Sequence, residues 1–194
     1  MEKRMETRTL VMAAVLTAIT VLLQYMGSFV KLGPFSVSLV LIPIVIGAAT
    51  CGVKVGAWLG FVFGGVVLLS GDAGAFLAVH AWGTVVTVLV KGTACGLLAG
   101  LAFKGMKKLT KNDLISTIVA AVVCPLVNTG VFLIGCLLFF MDTIAMWAAA
   151  ANLGGGIAHY MIFGLVGANF IFELLFNIVL APAVVHIIKV VNGR

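Results

Sequence analysis

The stretch GTVVTVLVKGTACGLLAGLAF (residues 83–103) is followed at once by KGMKKLTK (residues 104–111). An α-helix crosses the ~30 Å hydrocarbon layer with about 20 apolar residues at ~1.5 Å each, and residues 83–103 supply them with one charge, Lys91. Lys104, Lys107, Lys108 and Lys111 then mark the cytoplasmic side, because basic residues gather there. Gly92, Gly96 and Gly100 recur every four residues, so one face of this helix is bare of side chains and open to a close neighbour.

The rest of the chain has the same character. Of 194 residues, 63% are hydrophobic and 9% charged, with a mean hydropathy of +1.27. A soluble domain is about half apolar and about a quarter charged, so hydrocarbon is the natural solvent here. Further spans are expected at Leu10 to Phe29, Val37 to Cys51, Val55 to Ser70, Leu114 to Phe140 and Ala158 to Ile188. The first follows a basic flank, Met1 to Arg8, that also suits a signal peptide, but its apolar run exceeds the ~7–15 residues of a signal core. Lys31-Leu32-Gly33-Pro34 reads as a turn and Gly52-Val53-Lys54 as a very short hairpin. Gly71 to Trp82 and Met141 to Gly156 read as outer loops, the second with a short surface helix near Met146 to Ala151.

This gives an all-α integral membrane protein: a single domain over residues 1–194, six transmembrane helices and both termini cytoplasmic. Lys3, Arg4, Arg8, Lys54, the 104–111 cluster, Lys189 and Arg194 then all lie inside, and the outer loops keep only Lys31 beside Asp72 and Asp142. The net charge of +6 is thus a topology signal with some affinity for anionic lipid, and no argument for nucleic acid. Gly52, Gly56, Gly60 and Gly64 are expected to share a packing face on the third helix, and Ala14-x-x-x-Ala18 puts small residues on the first. Cys51, Cys95, Cys124 and Cys136 lie in apolar runs without metal-ligand spacing and read as buried hydrophobes.

An ionisable side chain at membrane depth costs ~2.5–3.5 kcal/mol or more, so it turns inward and is a functional candidate. Lys91 and Glu173 qualify. Asn169, Glu173 and Asn177 are spaced by four and share a face, while Asn128 sits mid-way along the fifth helix near a break at Pro125. Two roles compete for this cluster. It is either an internal Lys91–Glu173 ion pair with supporting amides, or a small-molecule site with Lys91 on an anionic group and Asn128 and Asn169 fixing orientation. His80 and Trp82, on the outer side, are candidates to line or cap such a site. No H-E-x-x-H, G-x-S-x-G or Walker sequence is present, so the chain is read as no enzyme, with no catalytic residue, metal or cofactor assigned.

The sequence resembles the substrate-binding S components of energy-coupling factor (ECF) vitamin transporters. The resemblance rests on the basic N-terminus leading into Ala14-x-x-x-Ala18, on Leu41-Ile42-Pro43-Ile44-Val45-Ile46-Gly47-Ala48, on the Gly52/Gly56/Gly60/Gly64 ladder, and on Lys91-Gly92 before the Gly-rich helix and basic loop. It implies a multi-pass protein of the prokaryotic plasma membrane that binds a vitamin or related micronutrient from outside. It also implies docking on a membrane coupling protein (T component) driven by two cytoplasmic ATPases, with Ala14 and Ala18 as docking residues. The site would lie among helices four to six and their capping loops, a region that takes in Lys91, Asn128 and Asn169. Lys91 favours an anionic nutrient, pantothenate first, with riboflavin, folate and biotin open and Glu173 a possible neutraliser of Lys91. The alternatives are a self-sufficient secondary transporter or channel, and a membrane enzyme or structural subunit.

Overall fold

The computed structural model describes residues 7–28, 31–32, 35–36, 38–151 and 154–191. Its helices are α1 (Thr7–Gly27), α2 (Leu41–Thr50), α3 (Val53–Leu69), α4 (Gly74–Val79), α5 (Ala81–Thr110), α6 (Asp113–Phe139), α7 (Met141–Ala151), α8 (Gly156–His159) and α9 (Ala168–Val191). Between α8 and α9 the helix continues through a π-helical stretch, Tyr160–Gly167. Between α1 and α2, β1 (Lys31–Leu32) pairs antiparallel with β2 (Phe35–Ser36), so Lys31-Leu32 belongs to a minute hairpin. Gly33, Pro34 and Val37 lie outside the described residues.

Four segments are long and apolar enough to cross a membrane: α1, α5, α6 and the continuous run Gly156–Val190. The other two expected spans are shorter. α2 has 10 residues, about 15 Å of helix, because it starts at Leu41 with Pro43 in its first turn. A proline fits there, since the first-turn N–H groups have no partner within the helix. α3 has 17 residues, about 25 Å.

Other boundaries differ from the expectation for local reasons. The loop expected at Gly71 to Trp82 contains α4, and α5 starts at Ala81 because the His80 side chain caps it, Nδ1 accepting from the Gly83 N–H at 2.8 Å. α5 also continues past Phe103 to Thr110, with Lys107 and Lys108 in its last turn, where cations complement the helix dipole. Lys111 then takes a left-handed conformation (φ +54°) and Asn112 caps α6, accepting from the Leu114 and Ile115 N–H groups. Lys107 pairs with Asp113 across this corner. α6 runs through Pro125 without a break in the helix, and the short helix expected near Met146 to Ala151 begins already at Met141.

The core forms where α3 crosses α5. A Cβ at Gly60 would fall on the Gly92 carbonyl oxygen, and one at Gly96 on the Gly56 carbonyl oxygen. One at Gly64 would lie 2.8 Å from the Val88 carbonyl oxygen. Gly52 is not part of this seam: its φ of +95° turns the chain into α3, and a Cβ there would meet nothing within 4 Å. On the other side of α5, a Cβ at Gly135 of α6 would collide with Thr87. Around the seam pack Leu16, Ile44, Leu59, Phe63, Cys95, Cys124 and Ile188, drawn from α1, α2, α3, α5, α6 and α9. A second apolar cluster, with Phe76, Phe140, Ile144 and Leu165, joins α4 and α7 to the π-helical stretch.

The seam makes a prediction by contrast. Gly60→Val should destabilise the purified protein by about 1–3 kcal/mol or more through overpacking. Gly65→Ala, where a Cβ meets open space, should be neutral or stabilising by up to about 1 kcal/mol. Thermal unfolding in detergent reads both, and equal tolerance of the two would mean that α3 and α5 do not touch at Gly60.

Candidate functional site

Asn169 and Glu173 lie one helical turn apart on α9 and face the interior, with Glu173 5% exposed. Lys91 comes from α5, ten residues after its start, so about 15 Å along that helix. Asn128 comes from α6. All four line one cavity, which has about 80 Å³ open to the centres of water-sized spheres. A single water needs ~10–15 Å³ by that measure, so there is room for several waters or a small organic molecule. Its walls come from α3, α5, α6 and α9, and Asp72, Ala73 and Phe76 line it as well.

The charges are arranged without a direct pair. The Lys91 ammonium lies 5.6 Å from the centre of the Phe63 ring and 5.5 Å from that of Phe132. A cation over an aromatic face is stabilised by the ring quadrupole, more so where water is scarce. Among the described residues Lys91 makes no ion pair; Lys107–Asp113 is the pair that forms. Of the two roles open to this cluster, the direct Lys91–Glu173 bridge does not form among the described residues. Glu173 instead accepts from the Ser38 backbone N–H at 3.1 Å, just ahead of α2, and shares the cavity wall with Asn128. Asn177, on the same face, donates to the Glu173 backbone carbonyl at 2.7 Å and does not line the cavity, so its role is structural.

Several lining residues carry no clear mark in the sequence. Gln24 of α1 is 2% exposed and donates to Asp72 at 2.7 Å, joining the end of α1 to the segment before α4. Its one signal is being the lone amide of the first apolar run. Ser38, Thr84 and Thr87 add hydroxyls, and Phe63 and Phe132 add the rings around Lys91. Buried oxygens on this wall, Gln24 Oε1, Thr87 Oγ1 and Asn128 Oδ1, have no hydrogen-bond partner.

Two expected residues are not brought to the cavity. The His80 imidazole is held at the start of α5 by its cap, stacked on Phe139 with centroids 5.7 Å apart. Trp82, on the first turn of α5, is 73% exposed and points away from the interior. Ala14 and Ala18 are exposed together on α1, whereas Gln24 of the same helix is buried and lines the cavity.

Compared with known proteins, residues 8–188 match the family model described as ECF transporter, substrate-specific component. No curated protein and no solved structure matches the chain.

Because Lys91 has no carboxylate partner among the described residues, Lys91→Met should leave the thermal midpoint of the purified protein unchanged or raised, as a charge costing ~2.5–3.5 kcal/mol at membrane depth is removed. Breaking a buried ion pair would instead cost about 3–5 kcal/mol. Glu173→Gln should also fold, since an amide oxygen still accepts from Ser38. A large drop in the Lys91→Met midpoint would restore the structural bridge.

Proposed function

We infer that this chain, which belongs to the substrate-specific components of ECF transporters, captures a small micronutrient in the cavity between α3, α5, α6 and α9. Membership makes it a membrane-embedded transporter subunit and not an enzyme. The observation that carries the binding reading is Lys91, a half-buried cation beside two rings that lines the cavity and makes no ion pair among the described residues. An acidic group on the ligand would offset its desolvation through a charge-assisted hydrogen bond. Pantothenate is the favoured ligand on that ground, with Lys91, Asn128, Asn169 and Glu173 as contacts; riboflavin, folate and biotin are the other candidates.

The topology we favour keeps six crossings within a single membrane domain, with both termini in the cytoplasm. α2 is almost wholly buried, so its short length exposes no backbone ends to lipid. Alternate crossings put Arg8, Lys54, the 104–111 cluster and Lys189 on one side. A chain without an ATP-binding sequence needs a partner to do work. The exposed Ala14 and Ala18 are our docking residues for a membrane coupling protein, itself driven by two cytoplasmic ATPases.

Vitamins screened against the purified protein should give one clear thermal shift, about 4 kcal/mol of stabilisation at a thousandfold excess over Kd. Lys91→Met should abolish it. Vesicles containing this chain alone should bind that ligand without accumulating it, and accumulation would instead favour a secondary transporter. Ala14→Trp should leave ligand affinity intact and weaken co-purification with the coupling protein; loss of both would remove α1 as a separate docking surface.

A further inference from the structure

An acid on Lys91 accounts for one pole of the cavity and leaves the opposite hydrogen-bonding sense unanswered. Gln24 Oε1 and Asn128 Oδ1 are buried acceptors without a donor, on side chains 2% and 5% exposed. Both residues line the cavity. The Gln24 amide is not free to turn over. Its nitrogen donates to Asp72 at 2.7 Å. Reversing it would set its oxygen against a carboxylate oxygen, acceptor against acceptor. Asp72 therefore holds this amide in the one orientation that leaves its carbonyl oxygen unanswered. The second unanswered oxygen, Asn128 Oδ1, comes from a different helix, α6.

Building on the binding reading above, we propose that these two oxygens form an acceptor pole that selects the ligand. The molecule taken up carries, besides an acidic group for Lys91, at least two O–H or N–H donors, one for Gln24 Oε1 and one for Asn128 Oδ1. A site built to receive a donor rejects an analogue that lacks it, because the buried acceptor is then left unpaired. Gln24 and Asn128 thus set specificity, while Lys91 supplies the charge. Simple apolar acids of the same size are excluded by the cavity despite its cation.

The test uses the full chain in detergent and titrates acids in matched pairs, one member bearing hydroxyls that the other lacks. Pantothenate and 3,3-dimethylbutanoyl-β-alanine, the same skeleton with both hydroxyls replaced by hydrogen, form the first pair. The donor-bearing member of a binding pair should bind at least tenfold more tightly. Asn128→Leu and Gln24→Met should each narrow that ratio to within about threefold in protein that retains its thermal midpoint. If a variant fails to fold, the ratio in the unaltered protein still decides. Equal affinity for both members overturns the acceptor pole and leaves the acid on Lys91 standing. An undiminished ratio in both folded variants removes these two amides as its source. Failure of every acid to bind, with or without donors, overturns the binding reading and this proposal with it.

Discussion

The backbone contact between α3 and α5 is the constraint from which the rest follows. Lipid tails are as apolar as leucine, so helices in a bilayer gain little by burying apolar side chains against one another. They gain by approaching closely, and glycine permits that. Gly56 and Gly60 of α3 meet Gly96 and Gly92 of α5 backbone to backbone, while Gly64 meets the Val88 carbonyl. Phe63 is the neighbour of Gly64 and Lys91 the neighbour of Gly92, so the seam that locks the helices also sets the ring beside the ammonium. The core and the candidate site share one positional cause.

Around that cation the protein places its acidic groups in reach of the cavity and pairs neither with Lys91. Glu173 is occupied by the Ser38 N–H, and Asp72 accepts from Gln24. A direct buried ion pair would have to recover the desolvation of two charges by geometry alone. Distributing the charges leaves the ammonium stabilised by Phe63 and Phe132, and the Gln24 amide oriented by Asp72. A polar group buried in this way costs free energy unless it is satisfied, which ties cavity geometry to ligand chemistry.

The long π-helical stretch bears on the same site. Tyr160–Gly167 supplies Leu165 and Val166 to the cavity wall directly before Asn169. A π-helix rotates the residues that follow it relative to an α-helix, and such segments are frequent at functional sites. In the apolar run from Ala158 to Ile188 only Gly164 and Gly167 mark that stretch, and glycine by itself does not specify a π-helix.

Much was readable in the residues themselves. Hydrocarbon as solvent follows from the scarcity of charge, and the long apolar runs of α1, α5, α6 and Gly156–Val190 follow from length and hydropathy, because a helix must meet its hydrogen bonds internally in lipid. The inward turn of Lys91, Asn128, Asn169 and Glu173 was equally legible, since polar groups at that depth have no other stable place. The tertiary structure decided what depends on rotation and on distant pairing. Gln24 and Asp72 meet across 48 positions, and no local period announces such a contact. His80 was taken up by the cap of α5 and Trp82 was turned outward, because one turn of helix reaches back to Ala81. Periodicity states which residues share a face; only packing states what that face meets.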